Sequence, residues 1–247
     1  MTKDDFFIGW AETPKKDRRF MLGAALGLIA GGAGLAGLLA SAHELAGAGA
    51  WDQGDVRAFA GQLVREPYPA LVTHDIDGAP RTAFLVSNSK RGVQDRLRRH
   101  DGDAVRVRGT LIARGAHAMI AAIDGDDWIA AAPAPPAPAW PAVDEGPALL
   151  TGEILDAKCW FGAMRPGDGR VHKACASLCV RGGLPPAFCA RGCGDDADIL
   201  LFLEADGIAH GQDLLPFVAD PVHAMGRIVR VGDVRQFRVS LQDIRRI

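Results

Sequence analysis

The residues of this chain that are best suited to chemistry are its cysteines, which all lie in one segment of a 247-residue sequence. Four of them form two pairs with three intervening residues, so on a helix both thiols of a pair would point the same way. The fifth has no partner at that spacing. The positions are Cys159, Cys175, Cys179, Cys189 and Cys193. Thiols gathered in this way predict a metal site, a set of disulfide bonds, or both.

One prediction is a metal site formed by Cys159, His172, Cys175 and Cys179. Thiolate and imidazole groups are the ligands of tetrahedral zinc, and together with Met164 the same set would suit copper. An iron-containing centre is the third candidate cofactor. Covalently attached haem and a Rieske cluster are disfavoured, because the sequence has neither a Cys-x2-Cys-His motif nor a Cys-x-His pair.

The competing prediction is a structural one, because thiols within reach of each other form disulfides in an oxidising compartment. The twin spacing resembles that of helical hairpins closed by two disulfides, which implies pairing of Cys175 with Cys193 and of Cys179 with Cys189. Four cysteines allow three pairings, and the spacing does not choose between them. A mixed arrangement would leave Cys159 beside His172 as a reactive thiol, as a thiol oxidoreductase requires.

A membrane anchor is predicted near the N-terminus. Residues 20–42 carry no charge, and at about 1.5 Å per residue a helix of this length covers a hydrocarbon core of roughly 30 Å. Basic residues precede the span and none follows it until Arg57. The positive-inside rule therefore predicts a single-pass protein of a bacterial inner membrane, with residues 1–19 in the cytoplasm and the remainder in the periplasm. Cleavage after Ala42 is the alternative to a permanent anchor.

The exported part divides into two similar halves. Residues 102–123 and 219–244 share one pattern, in which an alternating strand runs into a glycine and two more short strands follow. The fold class that this pattern predicts is mainly β, with two small barrels in tandem that resemble the OB-fold. The expected boundaries are a first barrel at 51–129, an Ala/Pro linker at 130–147 and a second barrel at 148–247, with a Cys-rich insertion of helix and loop at 159–193.

The function that these features favour is that of an accessory subunit. The string KCWFGAMRPGDGRVHKACASLC resembles a motif of membrane-anchored bacterial proteins of unassigned function, linked to redox enzymes. The resemblance implies a scaffold or electron-transfer-associated subunit of a membrane redox complex, which would contact its partner through Trp160, Phe161 and the prolines at 185–186. The alternatives are a metal or cofactor carrier and a thiol oxidoreductase.

Composition narrows the choice of function further. The net charge of -2 and the lack of a basic stripe outside the membrane flank argue against nucleic-acid binding. No catalytic triad order, phosphate loop or dinucleotide fingerprint occurs, so catalytic activity of the chain's own is not expected.

Overall fold

The computed structural model describes four stretches of the chain, which are residues 13–42, 49–98, 103–190 and 199–247. Its Cα positions divide into two compact units, Met1–Ala46 and Gly47–Ile247. Both predicted barrels fall within the second unit. Most of the predicted cytoplasmic segment, residues 1–12, lies outside the described residues.

The N-terminal unit contains one long helix, α1 (Lys15–Ala42). Its residues Lys15–Ser41 are long and apolar enough to cross a membrane by length and composition. The helix starts earlier than the predicted residue 20, since Pro14 accepts the first intrahelical hydrogen bond, from the N–H of Arg18 at 2.9 Å. Proline is well tolerated at the start of a helix because its missing N–H would have no partner there.

The sheet of the first barrel has seven strands in the described residues. They are β1 (Ala50–Trp51), β2 (Arg57–Val64), β3 (Ala70–Thr73), β4 (Arg81–Ser87), β5 (Ala104–Arg114), β6 (His117–Ala122) and β7 (Ile129–Ala131). Five of them close a ring in the order β2, β3, β4, β6, β5, and β5 pairs back onto β2. Only the β4–β6 pairing within this ring is parallel. A short helix, α2 (Gln94–Leu97), follows β4 in the sequence.

The second barrel repeats this arrangement. Its strands are β8 (Ala142–Asp156), β9 (Pro186–Ala190), β10 (Leu200–Leu203), β11 (Pro221–Val231), β12 (Val234–Arg238) and β13 (Ile244–Arg246). The ring runs β8, β9, β10, β12, β11 and closes from β11 onto β8. The third and fifth strands in chain order, β10 and β12, are parallel. Two closed five-stranded barrels of OB-like topology confirm the predicted fold class.

The alternation of apolar residues explains why these segments are strands. In β2, Phe59, Gly61 and Leu63 are buried while the residues between them are more exposed, as one face of a barrel wall requires. In β11, Val222 and Ala224 follow the same rule. This period of two is the signal that sequence reasoning could detect.

Three apolar clusters hold the second unit together. One fills the first barrel around Phe59, and another fills the second barrel around Phe188. The third includes residues from both barrels and from the Cys-rich segment, among them Phe84, Leu155 and Leu201. The two barrels are therefore packed against each other rather than joined only through a linker.

The irregular connection between the barrels is shorter than the predicted 130–147. Residues 132–141 lie outside any strand, but the sheet of the first barrel includes β7 and the second barrel starts at Ala142. Residues 142–147 of the predicted linker belong to β8 because they pair with β11, with Ala142 opposite Val231 and Pro147 opposite Arg227. This pairing provides hydrogen-bond partners for backbone groups on that edge of β11.

Candidate metal centre

The Cys-rich segment leaves the second barrel between β8 and β9. A π-helical turn, Cys159–Ala163, comes first, and a 3-10 turn, Arg170–His172, leads directly into α3 (Lys173–Arg181). The helix places Cys175 and Cys179 one turn apart, as their spacing predicts. The turns on either side of the intervening loop bring Cys159 and His172 to the same helix.

The cysteine spacing predicted a hairpin of two helices, and the prediction is wrong for the second helix, at Cys189. The residues that contain Cys189 form β9, which pairs with β8 over residues 152–156. The cause is Phe188, which is fully buried and lies with its ring 5.8 Å from that of Phe202 and 5.1 Å from that of Phe237. Burying this aromatic side chain in the barrel core stabilises the strand by about 2 kcal/mol or more.

The C-terminal end of α3 docks on the first barrel. The Gly92 N–H donates to the Gly182 carbonyl at 2.9 Å, and Gln94 Nε2 donates to the Gly183 carbonyl at 2.7 Å. A Cβ atom at Gly182 would lie 2.0 Å from the carbonyl oxygen of Lys90, so only glycine permits this approach. The loop that follows β4 is thereby held beside the thiols.

The four predicted ligands lie together. One ligand atom each of Cys159, His172 and Cys175 lies within 4.8 Å of the other two, and the Sγ atoms of Cys159 and Cys175 are 3.8 Å apart. Cys179 joins this group through Cys159, since its thiol, that of Cys159 and a carboxylate oxygen of Asp156 also lie within 4.8 Å of one another. Cys159 is common to both sets and forms the centre of the cluster.

Asp156 organises two of these side chains. One carboxylate oxygen accepts the backbone N–H of Cys159 at 2.8 Å, and the other lies 3.1 Å from Nε2 of His172. Asp156 and His172 are both buried, at 0% and 4% relative exposure. When Nε2 carries the proton in this pair, Nδ1 keeps the free lone pair that a metal needs. A carboxylate that orients a ligating histidine in this way is a common partner in metal sites.

A buried ammonium group lies next to the cluster. Lys158 Nζ donates to the carbonyls of Ser87, Asn88 and Ser89 at 2.7, 3.1 and 2.9 Å, and it lies 4.8 Å from the centre of the Trp51 ring. Burial lowers the pKa of Lys158, while the charges of the nearby thiolates act in the opposite direction. The lysine therefore ties the loop after β4 to the Cys-rich segment and brings a positive charge close to the sulfur atoms.

A second lysine contacts the cluster from the first barrel. Lys90 Nζ lies 2.7 Å from Sγ of Cys175, and this hydrogen bond raises the pKa of Lys90. In this contact the ammonium group of Lys90 donates and the sulfur of Cys175 accepts.

The two deeper thiols interact with each other. Their hydrogen bond raises the pKa of Cys159 and lowers that of Cys179, and burial also acts to raise the pKa of Cys159. A metal ion bound by these sulfurs would displace the thiol protons.

The remaining cysteines are placed differently. Cys189 is disulfide-bonded on β9, whereas Cys159, Cys175 and Cys179 are free thiols. Neither implied pairing is therefore the arrangement in this structure, because Cys175 and Cys179 are both free. Cys193, the implied partner of Cys175, lies outside the described residues.

The partner surface expected around Trp160 and Phe161 is buried. Trp160 is 6% and Phe161 2% exposed, and the prolines at 185–186 are buried as well. The Arg114 guanidinium lies 3.6 Å from the Trp160 ring centre and donates to the Trp160 carbonyl at 2.9 Å. These aromatic side chains join the two barrels, so they are not free to contact another protein.

Sequence reasoning named Lys158 as a cation beside the thiols but missed two other residues of the centre, Asp156 and Lys90. Asp156 had a local signal, since it lies three positions before Cys159 and can reach its N–H across one turn. Lys90 had none, because it precedes Cys175 by 85 positions and belongs to the other barrel. Lys173, the other cation near the cysteines, instead pairs with Asp220 at 2.5 Å.

Comparison of the chain with protein-family models, with curated proteins and with solved structures finds no match.

Proposed function

We propose that this chain is a membrane-anchored metal-binding protein, in which Cys159, Cys175, Cys179 and His172 hold one zinc ion on the periplasmic side. The observation that carries the proposal is the convergence of sulfur and imidazole ligand atoms within 4.8 Å around Cys159. Three thiolates and one imidazole form a common ligand set of structural zinc.

The charges around the cluster favour a divalent ion. Three thiolates and the buried Asp156 carboxylate carry negative charge, and Lys90 and Lys158 lie close enough to compensate part of it. A divalent ion would balance the remainder, whereas monovalent copper would leave a buried excess of negative charge. Buried charge without compensation costs several kcal/mol, so zinc fits this site better than copper(I).

The periplasmic location is supported by the basic residues at the start of α1, which the positive-inside rule places in the cytoplasm. In an oxidising compartment, adjacent free thiols convert to disulfides unless something protects them. A bound metal ion provides that protection, because it holds each sulfur as a ligand. The free state of three neighbouring cysteines in an exported domain is thus consistent with a metal site.

Membership of a membrane redox complex, as a scaffold or electron-transfer-associated subunit, stays a prediction from the motif resemblance. A zinc centre of this kind would stabilise the junction between the barrels and would carry no electrons itself, because zinc is not redox-active. The proposed centre is therefore structural or regulatory within such a complex.

Elemental analysis of the full chain tests the metal site. Protein purified in detergent under reducing conditions should contain about one zinc per chain, and Cys159→Ser should contain much less, because Cys159 is central to the cluster. Cys189→Ser provides the matched control, since Cys189 is disulfide-bonded and lies outside the cluster. Equal zinc in both variants, or no metal in the reduced wild type, would refute the proposal.

A further inference from the structure

An open cleft lies beside the thiol cluster, between the loop that follows β4 and the second half of α3. Its volume is about 590 Å³, which falls in the range of small-molecule sites. Its lining residues include Lys90, Arg91, Asp95, Leu178 and Arg181.

The cleft has an excess of positive charge. Lys90, Arg91 and Arg181 contribute three cationic side chains, and in the described part of the chain neither arginine forms an ion pair with a carboxylate. Among the described residues that line the cleft, Asp95 is the one acidic side chain, and it pairs with Arg98 at 3.5 Å. A small ligand that binds in this cleft should therefore be an anion.

Lys90 connects the cleft with the thiols. Its ammonium lines the cleft and lies 2.7 Å from Sγ of Cys175. Cys175 is half-buried, whereas Cys159 and Cys179 are fully buried. Cys175 is therefore the most exposed of the three thiols and the one in contact with a residue of the cleft, and the sulfur of Cys159 lies 3.8 Å from that of Cys175.

We propose that the cleft binds a small anionic disulfide, one that carries carboxylates, and that this compound oxidises the metal centre. The Cys175 thiolate attacks one sulfur of the ligand, the ligand S–S bond breaks, and one thiolate leaves as a mixed disulfide forms on Cys175. The Cys159 thiolate, once it leaves the ion, then attacks Sγ of Cys175, the mixed disulfide bond breaks, and the second ligand thiolate leaves. Two electrons pass from the two cysteine thiolates to the ligand, which departs as two thiolates.

This oxidation would regulate the metal centre, and the regulation rests on the proposed function, that is, on zinc being bound there. Once Cys159 and Cys175 are joined, the ion keeps only Cys179 and His172 as protein ligands, and it is released. The cleft residues Lys90, Arg91 and Arg181 act as binding residues for the carboxylates of the ligand. The same centre thus becomes a sensor of small disulfides in its compartment.

The test compares three disulfides of different charge on the zinc-loaded full chain. Oxidised glutathione is anionic, hydroxyethyl disulfide is neutral and cystamine is cationic. Thiol loss by alkylation mass spectrometry and zinc release to a chromophoric chelator are followed together. After correction for the intrinsic reactivity of each disulfide towards a free thiol, glutathione disulfide should react about tenfold faster than cystamine. Equal corrected rates for the three disulfides would refute the proposal that the cleft binds an anionic disulfide.

Variants of the cleft make the test specific. Arg91→Gln and Arg181→Gln should each slow the reaction with glutathione disulfide several-fold. Neither variant should change the rate of the reaction with hydroxyethyl disulfide. Arg106→Gln, an exposed arginine on β5 outside the cleft, is the matched control and should react as the wild type does. A slowing of equal size in the control would count against the proposal.

A trapping variant identifies the attacked thiol. In Cys159→Ser the second step is blocked, so a stable mixed disulfide with glutathione should accumulate on Cys175. Adduct on Cys179 instead would overturn the assigned order. The wild-type chain separates the two proposals. If it binds no zinc but forms the Cys159–Cys175 disulfide with glutathione disulfide, the metal site is refuted and the cleft chemistry is supported. If it keeps its zinc and forms no disulfide, the cleft chemistry is refuted and the metal site is supported.

Discussion

The two barrels have the same strand order, yet only one contains the candidate metal centre. In the first barrel, residues 65–69 join the first two strands of the ring, β2 and β3. In the second barrel, the corresponding connection between β8 and β9 contains the π-helical turn, α3 and all four candidate ligands. The comparison shows that a closed barrel accepts a long insertion at this loop without a change in its pairing, because the ring is held by hydrogen bonds between strands.

The first barrel nevertheless takes part in the centre. Its loop after β4 supplies Lys90 and the carbonyls that bind Lys158. One barrel therefore provides the ligands, and the other provides cationic and hydrogen-bonding groups around them.

The largest expected effect comes from the barrel cores. Phe59→Ala and Phe188→Ala each remove a fully buried ring and should lower the free energy of unfolding by about 3–5 kcal/mol, measured by denaturant titration in detergent. Phe188 lies on the strand that follows the insertion, so its variant should also weaken zinc binding, and Phe59→Ala should not. Equal loss of zinc affinity in both would contradict the division of roles.

The next largest effect concerns the docking of α3 on the first barrel. Gly182→Ala would place Cβ 2.0 Å from the Lys90 carbonyl and should destabilise the fold by about 1–3 kcal/mol, because backbone has to move. Gly211→Ala is the control, since nothing lies within 4 Å of its Cβ position. Thermal unfolding of the two variants gives the difference in their stability. Similar unfolding midpoints would show that the close approach of Gly182 to the Lys90 carbonyl is not needed for the fold.

A smaller effect is expected on metal affinity alone. Asp156→Asn keeps the shape of the side chain but loses the charge that orients His172, and zinc affinity should fall about 10–100-fold in a chelator competition assay. Asp126→Asn, in an exposed turn of the first barrel, should leave the affinity unchanged. An unaltered zinc affinity in Asp156→Asn would show that this carboxylate has no role in metal binding.

The smallest effect is a pH dependence in the second barrel. Burial raises the pKa of Glu153 above its ordinary value of 4.5. The protonated form is favoured in the folded state, so this contribution to stability is complete below pH 4.5 and is lost as the pH rises through the folded-state pKa. The loss should be under about 1 kcal/mol, because the carboxyl group is partly exposed.

Glu153→Gln should remove that part of the pH dependence. The measurement is the difference between the wild-type and variant unfolding free energies from about pH 4 to pH 8. Glu66→Gln in the first barrel is the control. A difference that grows in favour of the wild type as the pH rises would have the wrong sign and would contradict the argument.

Several elements could be predicted because their signals are local. Alternation in β2 and β11, the absence of charge over residues 20–42 and the spacing of Cys175 and Cys179 each depend on neighbours in sequence. The second helix of the supposed hairpin could not be judged in the same way. The short apolar run around Phe188 is compatible with a helix or a strand. The packing of Phe188 against Phe202 and Phe237 in the barrel core favours the strand.

The sequence by itself determined the period of the strands, the apolar span and the identity of the side chains able to bind a metal, since these follow from residue type and short spacing. Only the tertiary structure decided which sulfurs stay free, that Asp156 orients His172, and that Lys90 of one barrel reaches Cys175 of the other. The physical reason is that these contacts depend on how two barrels pack, and packing joins residues whose separation in the chain carries no periodic signal.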